Sequence, residues 1–181
     1  MNNIPSNLDD IEASPISDAL IKQYLPNANI IMYNQLPRYK TIEELLPHDK
    51  SYFVLMYLDS PNSGHWTVVL RQKNTVEYFD SYGSYPDKDL SWVSKQKRQQ
   101  LGVNDRYLTR LLDKTKLKVI YNTEPYQASG SEIATCGRHV IFRIMNINKG
   151  LLNYHKFIKN QMKKQGCDYD CIVSKVIPEV E

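Results

Sequence analysis

GHWTVVLRQKNTVEYFDSYG, residues 64–83, decides how the rest of the chain is read. Two runs rich in β-branched and aromatic residues, 65–72 and 75–82, flank Lys73 and Asn74, which suits a β-hairpin. Neither run alternates cleanly. Val76, Tyr78 and Asp80 share one face, and Glu77, Phe79 and Ser81 share the other. Strands of this kind belong to a sheet covered on both sides. His65 opens the first strand and Asp80 closes the second, so the hairpin brings them to the same end of the sheet, where a third group can join them.

Outward from the hairpin, SYFVLMYLD (51–59) is a continuous apolar run of strand length and predicts a buried central strand. NIIMY (29–33) and KVIYN (118–122) predict two more strands. SPISDALIKQYL (14–25) predicts a short helix with Ser14 as cap and Pro15 in its first turn. TIEELLP (41–47) is one turn at most. Residues 87–101 and 104–116 predict polar helices that pack through Leu90, Trp92 and Val93, and through Tyr107, Leu108, Leu111 and Leu112. CGRHVIFRIMNIN (136–148) is apolar nearly all round and predicts a central, buried helix. An amphipathic helix over 151–165 and a short one over 168–177 follow. The partial segregation of strands and helices predicts an α+β fold.

At 181 residues the chain suits one domain, with enough length to bury a core without staples. Its first dozen residues are polar and unpatterned, so 1–13 are expected to be flexible. Three cysteines, Cys136, Cys167 and Cys171, make no disulfide framework. No basic start precedes an apolar run, and no apolar stretch reaches membrane-spanning length. The expectation is a soluble, intracellular protein made in a reducing compartment. The net charge of +3 is uneven: residues 94–118 hold eight Lys/Arg against two acids, and 149–165 hold five Lys and no acid. These segments read first as solvated helix faces and second as an electrostatic footprint for nucleic acid.

Cys136 falls at the first turn of the buried helix, where unpaired N–H groups and the helix dipole stabilise a thiolate. Gly137 beside it lets a substrate backbone approach without meeting a Cβ. A buried structural cysteine is the other reading of this position, although a core cysteine has no need of the polar loop just before it. His65 is placed to take the thiol proton, and Asp80 to hold the other imidazole nitrogen. Taken singly, a surface histidine and a turn-forming aspartate read as well; together they require a shared register. Gln127, in the loop before Cys136, can donate with the Cys136 backbone N–H to a developing oxyanion, or be an exposed loop residue. His139, one turn past Cys136, competes with His65 as a base but lies further along the helix, away from its N-terminus. Cys167 and Cys171, four apart, with His155 or His139, lack a further ligand for a metal site. His48 and His155 have no acid or thiol neighbour in the sequence.

The order His-Trp, Asp, Gln, Cys-Gly, carried by GHWTVV (64–69), YFDSYG (78–83) and YQASGSEIATCGRHVIF (126–142), resembles the adenain and ubiquitin-like-protease superfamily of cysteine peptidases. The TCGRH wording and short chain are most similar to adenain-like maturation proteases of virophages and related capsid-forming DNA elements. The resemblance covers residues 50–148 and implies a papain-like/adenain-like fold, with a central mixed sheet and the catalytic Cys at the N-terminus of a buried helix. It implies Cys136 as nucleophile, His65 as general base and acid, Asp80 as its orienting partner, and Gln127 in the oxyanion hole, with Trp66 walling off the nucleophile. Gln127 stands nine positions before Cys136, a longer spacing than in typical members; Gln99 and Gln100, in a predicted helix, are poorer candidates. The implied substrates are capsid and other virion precursors cut after small residues, at Gly-Gly or Gly-Ala-like sites, in the host cytoplasm or viral factory and in the virion. No metal or organic cofactor is implied. The related adenovirus protease uses DNA and a peptide as activators, which makes 94–118 and 149–165 candidate DNA-facing surfaces of a monomer with no membrane association. Two rivals stand beside this reading: an isopeptidase acting on ubiquitin-like modifiers, for whose docking a short chain leaves little room, and a non-catalytic DNA-binding or scaffold protein.

Overall fold

The computed structural model describes residues 7–130 and 132–180. The hairpin at its centre is the one expected from the sequence. Strands β2 (Tyr52–Ser60), β3 (Ser63–Gln72) and β4 (Thr75–Phe79) run antiparallel. Their inner hairpin turns at Lys73, which adopts a positive φ of 52°, the backbone twist that a two-residue hairpin turn demands. Strand β1 (Asn29–Met32) pairs with β2 in parallel, and β5 (Lys118–Tyr121) pairs with β4 in parallel, giving a mixed sheet in the order β1-β2-β3-β4-β5. Residues 53–58 of β2 are buried without alternation, as a strand covered on both faces must be. The architecture is α+β with a mixed sheet.

Helix α5 (Cys136–Met145) packs on β3, and every residue from 137 to 144 is buried. Two of them are arginines, which an apolar reading of this helix does not anticipate. Arg143 makes a bidentate pair with Glu77 of β4, at 2.8 Å for both bonds. Arg138 donates to the carbonyls of Ser14, Ile177 and Glu179. It thereby ties the chain on either side of the core to the helix that begins at Cys136. Helix α7 (Tyr169–Val176) packs on α5, α6 (Leu151–Gln165) packs on α7, and α4 (Tyr107–Lys114) lies near a 3-10 turn at Tyr33–Arg38.

The structure departs from the sequence reading in several elements: β4 ends at Phe79, so Asp80 lies just past the strand rather than closing it, and α5 ends at Met145 rather than 148. Of residues 1–13, expected to be flexible, Leu8–Ala13 form helix α1, capped by Asn7 and buried at Ile11; residues 1–6 lie outside the described residues. Helix α2 is Asp18–Tyr24 and is capped by Ser17, not Ser14, because Ser17 Oγ accepts from the N–H groups of Ala19 and Leu20. The expected helix over 87–101 is split into a 3-10 turn, Lys88–Trp92, and helix α3 (Lys95–Leu101), because Ser94 caps a new start. Trp92, expected on a helix packing face, is 54% exposed.

Candidate active site

The C-terminal end of β4 meets the start of β3, and the register places Phe79 opposite Val68. Asp80 therefore follows β4 just where His65 can reach it. His65 Nε2 lies 2.6 Å from Asp80 Oδ1, with the imidazole only 10% exposed and the carboxylate fully buried. Gly64 is required before His65: a Cβ there would lie 1.8 Å from the Tyr57 carbonyl oxygen on β2.

Asp80 is held from several sides. Its carboxylate accepts from the N–H groups of Tyr82 at 3.1 Å and Ser84 at 3.0 Å. Its backbone N–H and C=O both bond the Asn122 side chain, at 2.9 and 2.6 Å. With Nε2 occupied by Asp80, the ring's Nδ1 is left for Cys136, with which His65 also shares a hydrogen bond. Tyr82 stacks on the imidazole at 4.9 Å and Trp92 meets it edge-on at 5.9 Å, so the ring has little freedom to rotate.

Cys136, at the first position of α5, is half-buried and is the one free cysteine among the described residues. Burial pushes its thiol pKa up. The hydrogen bond and charge of His65, with the backbone N–H groups of Trp66 and Gly137, outweigh that and bring it below the ordinary value. Burial likewise opposes the imidazolium, but the hydrogen bonds and charges of Asp80 and Cys136 hold His65 well above its ordinary value. These opposed shifts favour a thiolate–imidazolium pair.

Gln127 is brought to the same place despite its spacing from Cys136. It is 4% exposed, which sets aside the exposed-loop reading. The loop is pinned to the residue after Asp80: the N–H groups of Tyr126 and Gln127 donate to the Ser81 carbonyl, and Ser81 Oγ donates to Gln127 Oε1 at 2.7 Å. That leaves Gln127 Nε2 as donor, toward Tyr82 Oη at 3.1 Å and the Ile133 carbonyl at 3.4 Å. Gln127, His65, Trp66, Tyr82, Trp92 and Cys136 all line one cleft of about 800 Å³, bounded across from them by the segment at Ser14–Ser17. Trp66 is buried and donates from Nε1 to the Ile16 carbonyl at 3.0 Å, so it fixes this segment as well as forming a wall.

Gly137 does not serve as expected. It is buried, and the space of its missing Cβ is filled by Ile16, whose Cγ1 would stand 2.4 Å away, and by Trp66. The glycine admits the cleft wall, not a substrate backbone.

His139 is fully buried and faces Asp170 at 2.9 Å, so the structure gives it a partner other than Cys136. His155 Nδ1 lies 3.2 Å from Tyr126 Oη, and His48 Nδ1 lies 3.0 Å from the Asp49 carbonyl. Cys167 and Cys171 are joined in a disulfide, a departure from the expectation of reduced thiols. Among the described residues no group of three or more His, Cys, Asp or Glu could hold a metal ion, and no helix is long and apolar enough to cross a membrane.

Sequence reasoning missed Asp89. It is 3% exposed, both its oxygens lack a hydrogen-bond partner among the described residues, and Oδ2 lies 3.9 Å from His65 Nε2. Burial raises its pKa to about 7 against the pull of His65, with the charges of Asp80 and Asp87 adding. Its turn is anchored by Asp87, whose carboxylate accepts from Tyr33, Tyr57 and Thr109. A buried carboxylate without a donor is a standing cost to the fold, and such groups gather at functional sites.

No protein-family model matches the chain. The uncharacterized protein V9 of Sputnik virophage is 30% identical over 171 residues, spanning 93% of this chain and 91% of that protein. Among solved structures, the SUMO protease Ulp1 with its catalytic cysteine oxidized to a sulfinic acid aligns over 97% of this chain and 86% of its own, at 16% identity and a TM-score of 0.41. The C-terminal Ulp1 protease domain in complex with Smt3, the yeast ortholog of SUMO, aligns over 94% and 75%, at 17% identity and a TM-score of 0.39.

Proposed function

The chain belongs to the family of the Sputnik virophage protein V9, and from that premise and the contacts at Cys136 we propose that it is a cysteine endopeptidase. The observation that carries the reading is the unbroken series Asp80–His65–Cys136, ending at a helix N-terminus that opens into a cleft.

In this mechanism the Cys136 thiolate attacks the scissile carbonyl carbon. The carbonyl oxygen becomes an oxyanion that accepts from the Cys136 backbone N–H and from Gln127 Nε2, which gives up its contact with Tyr82. The C–N bond breaks as His65 passes its proton to the leaving amine, leaving a thioester on Cys136. His65 then removes a proton from water, which attacks the thioester and releases the carboxylate product. Asp80 keeps the imidazole oriented and supports its positive charge throughout.

The substrates we infer are capsid and other virion precursors cut after small residues, in the host cytoplasm or viral factory and in the virion. Two things support this: the virophage relative, and the aromatic crowding by Tyr82 and Trp92 at His65, which disfavours bulky side chains beside the nucleophile. The proposal includes DNA as an activator, held by the basic faces of 94–118 and 149–165 of a monomer, with affinity falling steeply with salt. Incubation of the purified chain with its virion precursors tests the reading. Cleavage at Gly-Gly or Gly-Ala sites that is lost in Cys136→Ala is expected. Reaction only with a ubiquitin-like modifier bearing a C-terminal electrophile would make it an isopeptidase instead, and DNA binding with no cleavage would leave the scaffold reading.

A further inference from the structure

A second His–Asp pair lies behind the cleft. Asp170, on α7, is 2% exposed, and its carboxylate joins three segments. One oxygen, Oδ1, accepts from Thr135 Oγ1 and faces His139 Nε2 at 2.9 Å. The other, Oδ2, accepts from the Ala128 N–H at 2.8 Å. Burial opposes the charge of Asp170, but the bonds from His139, Thr135 and Ala128 hold its pKa below the usual carboxylate value. Because the group stays ionised, His139 carries its proton on Nε2 and donates.

The neighbours of these partners are what matter. Ala128 follows Gln127, and Thr135 precedes Cys136. Thr135 would ordinarily cap its own helix, yet its side chain makes no capping bond and turns to Asp170 instead. Among the described residues between Ala128 and Thr135 there is no helix or strand; the Ala134 N–H donates to the Glu12 carbonyl at 2.7 Å and Gln127 Nε2 reaches the Ile133 carbonyl at 3.4 Å. One carboxylate therefore ties the residue beside the side-chain donor of the oxyanion hole to the residue beside its backbone donor. We propose that Asp170 is the positioning residue of the oxyanion hole, setting the distance between Gln127 Nε2 and the Cys136 N–H through Ala128, Thr135 and His139. This rests on the peptidase reading of the same site. Displacing such a donor by about 1 Å is enough to cost about a hundredfold in rate.

His65 sits on β3 and Asp80 follows β4, elements that the Asp170 carboxylate does not join, so the thiolate should not depend on Asp170. The test compares wild type, Asp170→Ala, Gln127→Ala and the double variant in two assays: iodoacetamide labelling of Cys136, and turnover of a fluorogenic peptide amide ending in Gly-Gly. The expected result is a fall in kcat of about 10²-fold in Asp170→Ala, KM and labelling rate within a few-fold of wild type, and a double variant whose loss is smaller than the two single losses combined, because the Gln127 arm is already gone and only the Cys136 N–H remains to be displaced. Asp170→Asn keeps the side chain's shape but reverses the donor roles of Thr135 and His139, and should fall between wild type and Asp170→Ala; it also decides the matter if Asp170→Ala does not fold. Unchanged turnover in both Asp170 variants, losses that add to that of Gln127→Ala, or labelling that falls in step with kcat would overturn the inference while leaving the peptidase reading intact. Wild type that neither labels selectively at Cys136 nor turns over the peptide would remove the peptidase reading and this inference with it.

Discussion

His65 Nε2 and Asp80 Oδ1 stand 2.6 Å apart at the end of a hairpin, and that bond turns the other imidazole nitrogen toward Cys136. Asp80 spends its remaining capacity on the Tyr82 and Ser84 N–H groups, so it cannot follow the imidazole if the ring moves. Asp80→Asn keeps the shape but offers an amide where an acceptor is needed. We expect kcat/KM to fall by about 10²–10⁴-fold, with little change in circular dichroism. A change within a few-fold would remove Asp80 from the mechanism.

The opposed shifts of Cys136 and His65 set the pH dependence. Cys136 lies below its usual range, so the acid limb of kcat/KM, on which the thiolate is lost to protonation, should lie below the ordinary thiol range. The imidazolium is lost only as pH rises through a His65 value held above its usual range, so the alkaline limb should lie above that of a free histidine. Asp89 titrates near 7, and once ionised it favours the imidazolium. Asp89→Asn should therefore bring the alkaline limb down and leave the acid limb nearly in place. An unmoved alkaline limb would exclude Asp89 from the electrostatics of the site.

Asp89 also links function to stability. Its folded pKa, about 7, lies above that of an unfolded carboxylate, so the unfolded chain ionises first as pH rises. The penalty to the fold starts near pH 4, grows to about pH 7 and is constant above. Asp89→Asn should raise stability by about 1–3 kcal/mol above neutrality, with the gain shrinking toward pH 4. Urea melts at three pH values check this; a variant less stable than wild type at pH 8 would contradict it.

Gly137 tests the cleft wall. A Cβ at this position meets Ile16 and Trp66, so Gly137→Ala should destabilise by about 1–3 kcal/mol through overpacking. Adding Ile16→Ala should recover part of that loss. Thermal melts of the single and double variants decide it, and an unchanged midpoint in Gly137→Ala would show that Ile16 yields freely.

The buried pair of Glu77 and Arg143 crosses from the sheet to α5 with neither side chain more than 1% exposed. Glu77→Gln should destabilise by about 3–5 kcal/mol, since it strands a buried guanidinium. Replacing both partners with apolar residues should cost less than either single change in the same denaturation assay.

The parts of this site that were legible in the sequence are those whose chemistry shows in residue type and order. His65 and Asp80 could be placed because a two-residue turn fixes strand register, and Cys136 because a helix start carries its own electrostatics. Ser81, Asn122 and Asp170 could not. Their roles depend on contacts with chain 31 or more residues away, and nothing local marks a serine or aspartate as a tether. Asp89 was hidden in a run that reads as one polar helix until Ser94 is seen to cap a second. The two buried arginines of α5 were invisible to a periodicity argument, which counts apolar neighbours and cannot see Glu77 or the carbonyl of Ile177.

The most direct measurement is the rate of iodoacetamide labelling at about pH 6, well below the usual thiol pKa of about 8.5, mapped by mass spectrometry for wild type and His65→Ala. Cys136 is the free thiol and Cys167 and Cys171 are paired, so the unreduced protein reports on Cys136 alone, and a reduced sample supplies the other two as comparators. We expect rapid labelling of Cys136 in wild type, outpacing both comparators, and loss of that advantage in His65→Ala. Equal labelling of all three cysteines, or a Cys136 whose rate ignores the loss of His65, would contradict a His65-activated thiolate and with it the peptidase reading.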